Sequence, residues 1–328
     1  MEARTTGSCD IGKTNIFFRW IRVVYVHYTT KAEGFALAFF AESSRMGTEE
    51  GSAMSRYINP YTDFGFKKLF GEEANKDLLV DFLNAVLPPE NKIAHLEFRC
   101  SEALPDNIVD RKAVFDIACT GENGQSFTVE MQKAKQLYFK DRALFYSAFP
   151  IQRQAQRGDW NFKLNPVFLV AVLDFEYDEM EERRKIYRLV SLKDQDGDKF
   201  TDRLQMVFLQ MPLFTLTESE LHTQKDKWLF FLKNLESFDD IPGILREPLF
   251  EKAFDTAEYV RFSPAMQEAY QENLKVYRDN RNVVETAHLD GRTEERIAIA
   301  RNMKQKGFDA TTIAEITRLS SKEVEQLN

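Results

Sequence analysis

Apolar positions along the chain change their spacing several times, and each change marks an element. From Thr62 the spacing is helical: Phe66, Leu69 and Phe70 form one stripe and Gly71 stops it. Leu78, Leu79, Phe82, Leu83 and Val86 make a second helical stripe, which Pro88 and Pro89 close because proline lacks a backbone donor and clashes with the preceding turn. Ile93 to Phe98 is a short strand. Val114 to Cys119 and Ser126 to Met131 are rich in β-formers and flank the turn cluster Gly121-Glu122-Asn123-Gly124, which predicts a hairpin. A long helix is expected from about Ala134 to Arg157, ended by Gly158 and kinked or broken at Pro150. The continuous apolar run Pro166 to Phe175 predicts a strand buried on both faces. Ile186 to Leu192 and Leu204 to Gln210 predict two more strands.

Beyond residue 216 the pattern is helical to the end. Trp228, Phe231, Leu232 and Leu235 mark one helix, and Val283 to Lys306 reads as a long, charged surface helix. Gly307 to Leu327 reads as helix, turn, helix. Its stripe is Ile313, Ile316 and Leu319, and Ser320-Ser321-Lys322-Glu323 has the spacing that opens a second helix. The N-terminal stretch differs from all of this. Residues 1–53 carry no clear period, and Met54 opens a segment that reads as an ordinary protein start. The expected organisation is therefore 1–54, a start-site extension or disordered arm; 55–215, the strand-bearing domain; 216–285, a helical region; and 286–328, the charged helix and its helix-turn-helix-like tail.

Composition narrows the function classes. The chain has 328 residues, 43% hydrophobic and 29% charged, with a net charge of −8. That balance argues against a uniformly basic coat for nucleic acid, but it leaves room for an acidic metal site with a local basic rim. Cys9, Cys100 and Cys119 have neither disulfide-framework nor metal-ligand spacing, so a reducing compartment is expected. His27, His95, His222 and His288 are scattered, which argues against zinc. The apolar stretch Ile16 to Tyr28 is broken by Arg19 and Arg22, and Phe35 to Ala41 is too short to cross a bilayer. No membrane partner is expected, and the expected location is the cytoplasm.

The hairpin holds the chemistry. Side chains alternate across a strand, so Val114, Asp116 and Ala118 share one face, as do Thr128, Glu130 and Gln132 on the partner strand. Phe115, Ile117, Cys119, Phe127, Val129 and Met131 form the opposite, apolar face. Asp116 and Glu130 are centred on Asn123 in the turn, so a hairpin closed there brings them together. Two carboxylates held close raise one pKa unless a cation neutralises them, and oxygen ligands suit Mg²⁺ or Mn²⁺. Taken alone, the same pattern also fits the solvent-exposed polar face of a half-buried hairpin.

The surrounding blocks favour the chemical reading. They are NPYTDFGFKKLFG, with Asp63, Phe66, Lys67, Phe70 and Gly71; Leu78-Leu79-x-x-Phe82-Leu83-Asn84; DRKAVFDIACTGENGQSFTVEMQ, with Asp110, Lys112, Asp116, Glu130 and Gln132; Arg142, Tyr146, Gln154 and Gly158 in the spacing R-x3-Y-x7-Q-x3-G; and NPVFLVAVLDF. In this order they resemble the PD-(D/E)XK nuclease family transposases, also described as Rpn-type recombination-promoting nucleases. The resemblance runs from about Tyr57 to Phe175, with an echo in the tail.

The resemblance implies an α/β fold with a restriction-endonuclease-like core, a central mixed sheet flanked by helices, followed here by a helical C-terminal region. It implies metal-dependent DNA cleavage, with Asp116 and Glu130 as ligands of Mg²⁺ or Mn²⁺. Gln132 stands where many relatives carry Lys; an amide orients a water but cannot supply the charge. Lys112, two strand periods from Asp116 on the same face, is a candidate source of it. Arg142 and Tyr146, one helical turn apart, together with Gln154 and Lys67, are expected as phosphate contacts or site supports; each fits a plain structural role as well. Asp63 reads as a helix-start residue. The tail fits either DNA binding or a protein contact, and a homodimer is a candidate assembly. The expected function is an Mg²⁺-dependent endonuclease connected with mobile DNA or recombination. The alternative is a catalytically weak or inactive DNA-binding protein domesticated from a mobile element.

Overall fold

The computed structural model describes residues 55–99, 102–103, 113–114, 116–177 and 181–327. In chain order the elements are α1 (Asp63–Phe70), α2 (Lys76–Val86), β1 (Leu96–Phe98), β2 (Glu102–Ala103), β3 (Ala113–Val114), β4 (Ile117–Gly121), β5 (Ser126–Gln132), α3 (Phe139–Gln152), β6 (Val167–Leu173), β7 (Tyr187–Lys193), β8 (Lys199–Gln210), α4 (Gln224–Asn234), α5 (Pro248–Ala257), α6 (Pro264–Gln305), α7 (Ala310–Thr317) and α8 (Ser321–Gln326).

One mixed sheet organises the strand-bearing part, in the order β1-β4-β5-β6-β8-β7, while β2 and β3 pair separately. The pairs β1/β4, β4/β5 and β7/β8 are antiparallel, and β5/β6 and β6/β8 are parallel. Every residue of β6 is buried, as its unbroken apolar run requires of a parallel strand covered on both faces. Phe168, Val170 and Val172 point into the larger core, with α1, α2, α4, α5 and the start of α6. Val167, Leu169, Ala171 and Leu173 point the other way, where α3 lays Phe139 and Ala143 against them. Phe139 also packs edge-on against Phe208 of β8, with ring centroids 5.5 Å apart.

Local chemistry explains the helix limits. Thr62 caps α1: its hydroxyl oxygen accepts from the Gly65 N–H at 2.9 Å, and Gly71 ends the helix. Leu78, Leu79, Phe82, Leu83 and Val86 are the buried stripe of α2. Gly124 of the β4–β5 turn has φ +80°, and a Cβ there would lie 2.6 Å from the Asn165 side chain, so both backbone and space favour glycine.

Three elements differ from the sequence reading. The strand expected from Val114 to Cys119 is broken around Asp116, with β3 in the small sheet and β4 in the large one. The helix α3 starts at Phe139, not Ala134, because the chain first turns off the end of β5 through an exposed Leu137 and Tyr138. It also ends at Gln152, short of Arg157 and Gly158, because the break expected at Pro150 falls in its last turn. The long helix α6 starts at Pro264, far ahead of Val283, because Ser263 caps it and Tyr270, Leu274 and Tyr277 bury one side of its first turns.

Residues 278–295 of α6 are exposed all round. The helix then meets a small core of its own, in which Ala300 packs with Ile313, Leu319 and Val324. Ser320 and Glu323 form the expected capping box at α8. Ile316, placed on the buried stripe by spacing, is instead 60% exposed, because α7 turns Ile313 and Thr317 inward. Among the described residues no helix is long and apolar enough to cross a membrane.

Candidate functional site

The hairpin register puts the acids together. The pairs Thr120↔Ser126, Cys119↔Phe127, Ala118↔Thr128 and Ile117↔Val129 run up to the end of β4, so Asp116, the next residue, falls beside Glu130. Asp116 sits in a bend rather than in the ladder, and its Oδ2 accepts from the Met131 N–H at 2.7 Å. That bond replaces a ladder pairing and turns the carboxylate toward β5.

Glu130 is only 4% exposed. A solvent-exposed polar face is therefore ruled out: α3 roofs this side of the hairpin. Glu130 Oε2 accepts from Gln132 Nε2 at 2.9 Å, whereas Oε1 is buried without a hydrogen-bond partner. Arg142 of α3 faces the same place. Its Nη1 donates to Gln136 Oε1 at 2.7 Å, its Nε is buried without a partner, and its guanidinium lies 4.9 Å from the centre of the Tyr146 ring. Glu130, Gln132, Arg142 and Tyr146 line a cavity of about 10 Å³ above Ala171, room for roughly one water-sized atom.

Burial dominates the electrostatics. The Glu130 carboxyl is pushed up to about 8, first by burial and then by the charge of Asp116; Arg142 and the Gln132 hydrogen bond oppose the rise. Asp116 is also raised, first by burial, against the Met131 N–H. The nearby Asp63 raises it further, while Lys67 and Lys133 hold it down. Lys133 is itself lowered, chiefly by burial.

The structure thus brings Asp116, Glu130, Gln132, Arg142 and Tyr146 into one cluster. Lys67 stands at its edge, paired with Asp63 at 3.0 Å on the first turns of α1. Gln154 is not part of it: its side-chain amide bonds the Asn165 backbone where β6 begins. Lys112 lies outside the described residues. Lys133 and the reach of Asp63 escaped the sequence reading. The available signal was the cation directly after Gln132: β5 ends at Gln132, which frees Lys133 to approach Asp116.

The donor set fits a hard divalent cation. The buried Glu130 and half-buried Asp116 carboxylates, both raised, would gain from a positive charge, and the buried Glu130 Oε1 lacks any donor. Among the described residues, no three His, Cys, Asp or Glu gather to hold a metal. A cation here would rest on Asp116 and Glu130, with backbone or water oxygens completing its shell.

A mixed sheet flanked by helices, with paired acids on a central hairpin, defines a restriction-endonuclease-like nuclease core. The sequence matches the family model of the PD-(D/E)XK nuclease family transposases over residues 60–287, and the chain belongs to that family. Residues 293–328 match the C-terminal HTH domain of the Rpn/YhgA-like nuclease family, which covers the end of α6 together with α7 and α8. No curated protein and no solved structure matches the chain.

Proposed function

We propose that the protein is a divalent-metal-dependent DNA endonuclease that acts in the cytoplasm on mobile or recombining DNA. The observation that carries this reading is the Asp116–Glu130 pair, with a buried, partnerless Glu130 oxygen in the cavity that Arg142 also lines, in a chain of the PD-(D/E)XK nuclease family. Asp116 and Glu130 would hold Mg²⁺ or Mn²⁺, which supplies Lewis-acid polarisation of a phosphate and a bound water of lowered pKa.

The chain's own groups do the rest. Gln132 holds Glu130 in place through its Nε2 donor, and its carbonyl oxygen orients an attacking water without removing the proton. Arg142, stacked on Tyr146, is aimed to meet a phosphate oxygen and to offset charge as the phosphodiester opens. Lys133 and Lys67 add positive charge on the Asp116 side, where Gln132 cannot. The HTH tail supplies a DNA-binding element separate from the cutting centre.

One observation favours the alternative, a catalytically weak DNA-binding protein: the Gln132 amide is already committed to Glu130. A single assay separates the two. Wild type and Asp116→Ala are incubated with supercoiled plasmid, in Mg²⁺ or in EDTA. Nicking by wild type in Mg²⁺ alone supports the endonuclease. Equal nicking by both proteins defeats it, and binding without nicking points to the alternative.

A further inference from the structure

The segment joining α3 to β6 forms a built loop with an exposed aromatic surface beside a polar cleft. Its ends are clamped together. Gln154 Oε1 accepts from the Asn165 N–H at 2.7 Å, and Gln154 Nε2 donates to the Asn165 carbonyl at 3.2 Å. Inside the loop, Phe162 is 77% exposed and holds φ +59°, a left-handed conformation that a bulky side chain rarely adopts. Trp160 lies against it, with ring centroids 4.8 Å apart and planes 34° from parallel. An exposed Phe162 stacked with the half-buried Trp160, on strained backbone in one clamped surface loop, points to a binding role.

The polar groups suggest the ligand. Beside the rings is a cleft of about 860 Å³, lined by Trp160 with the amides of Gln156, Asn161 and Asn165, and by Asp159 and Lys163. Side-chain amides both donate and accept, as the edge of a nucleobase does. Lys163 of the cleft and Arg157 of the same loop are exposed cations, and Asp159 is the one acid among residues 153–165. A flat apolar face, a donor-acceptor edge and a flanking negative charge describe a nucleotide of an unpaired strand. A duplex hides its base faces in the stack, so only an unpaired base can lie on the rings.

We propose that the Trp160–Phe162 loop binds unpaired DNA by base stacking. The inference rests on the reading of DNA as the substrate. From Asn165 to the level of Glu130, opposite Ala171, is about 20 Å along β6 at ~3.3 Å per residue. A strand held at the loop is therefore long enough to extend to the level of the carboxylates. Gln154, expected to touch phosphate, instead positions this loop.

The test is binding in EDTA, where cleavage is silent. The full-length protein is titrated with a labelled single-stranded oligonucleotide of about twelve nucleotides, within the usual site size, and with the matching duplex. Single-stranded DNA should quench tryptophan fluorescence, and Phe162→Ala should weaken its binding on the order of tenfold while Phe162→Trp retains it. Phe162→Gly should raise Tm by relieving the left-handed backbone, yet lose binding as the Ala variant does. Unchanged single-strand affinity in the Ala and Gly variants overturns the inference, as does an equal loss for duplex. A protein that nicks plasmid normally while these variants bind normally sinks the loop alone. Loss of single-strand binding in a protein that never nicks keeps the loop and sinks the nuclease.

Discussion

Replacing Glu130 by Gln should stabilise the metal-free protein at neutral and alkaline pH. Glutamine has the shape of protonated Glu130 and needs no burial of a charge. In the folded chain the carboxyl titrates at about 8, against 4.5 for an ordinary glutamate. The sign follows from proton linkage. Below 4.5 the group is protonated in folded and unfolded chains alike, and its own contribution to stability is at its highest. Between 4.5 and 8 the folded chain keeps a proton that the unfolded chain releases, so stability falls as pH rises, and above 8 the loss is complete. The full shift corresponds to a penalty of roughly 3–5 kcal/mol near pH 8, at 1.36 kcal/mol per unit. Losing the Arg142 attraction and the Gln132 bond offsets part of it, leaving a gain of about 2 kcal/mol, or ~4–8 °C in Tm for a unit of this size. The assay is thermal unfolding in EDTA between pH 5 and 8.5. Wild-type Tm should fall across that range, and Glu130→Gln should fall less. Mg²⁺ at about 100 times its Kd should then restore roughly 2.7 kcal/mol to wild type only. A wild-type Tm that ignores pH, or a variant less stable than wild type at pH 8, refutes the reasoning.

Other consequences follow from the same contacts. Phe139→Ala empties a buried site against Phe208 and Ala171 beneath the roof of the carboxylates; it should cost about 3–5 kcal/mol by denaturant titration and lower any cleavage with it. Lys133→Met removes a charge that holds Asp116 down, so the acidic limb of the cleavage pH profile should move to higher pH, and an unmoved limb would show that Lys133 does not act on Asp116.

The parts of the fold visible in the sequence were those written in short-range spacing. The α1 and α2 stripes, the all-apolar β6 and the hairpin centred on Asn123 follow from periodicity and turn chemistry, and the register that joins Asp116 to Glu130 follows from counting. What spacing could not reveal depends on distant partners. Glu130 is buried because α3 crosses above it, and that roof is fixed by Phe139 meeting Phe175 and Phe208. The first turns of α6 were missed because their buried tyrosines answer to α1 and β6 rather than to an unbroken helical pattern; Tyr277 donates to Asp174, just past β6, at 2.9 Å. Ile316 failed for the opposite reason: a stripe two turns long tolerates more than one rotation. The family blocks named Asp116 and Glu130, but they said nothing of Lys133, whose place depends on where β5 stops.

The most direct test of the central claim is plasmid nicking by wild type and Glu130→Gln side by side at pH 8 in Mg²⁺, with Tm recorded for each. If the carboxylate pair is the cutting centre, the variant should be at least as stable as wild type in EDTA, yet nick on the order of a thousandfold or more slower, as expected when a metal ligand that organises the chemistry is lost. A stable Glu130→Gln that nicks as fast as wild type contradicts the account.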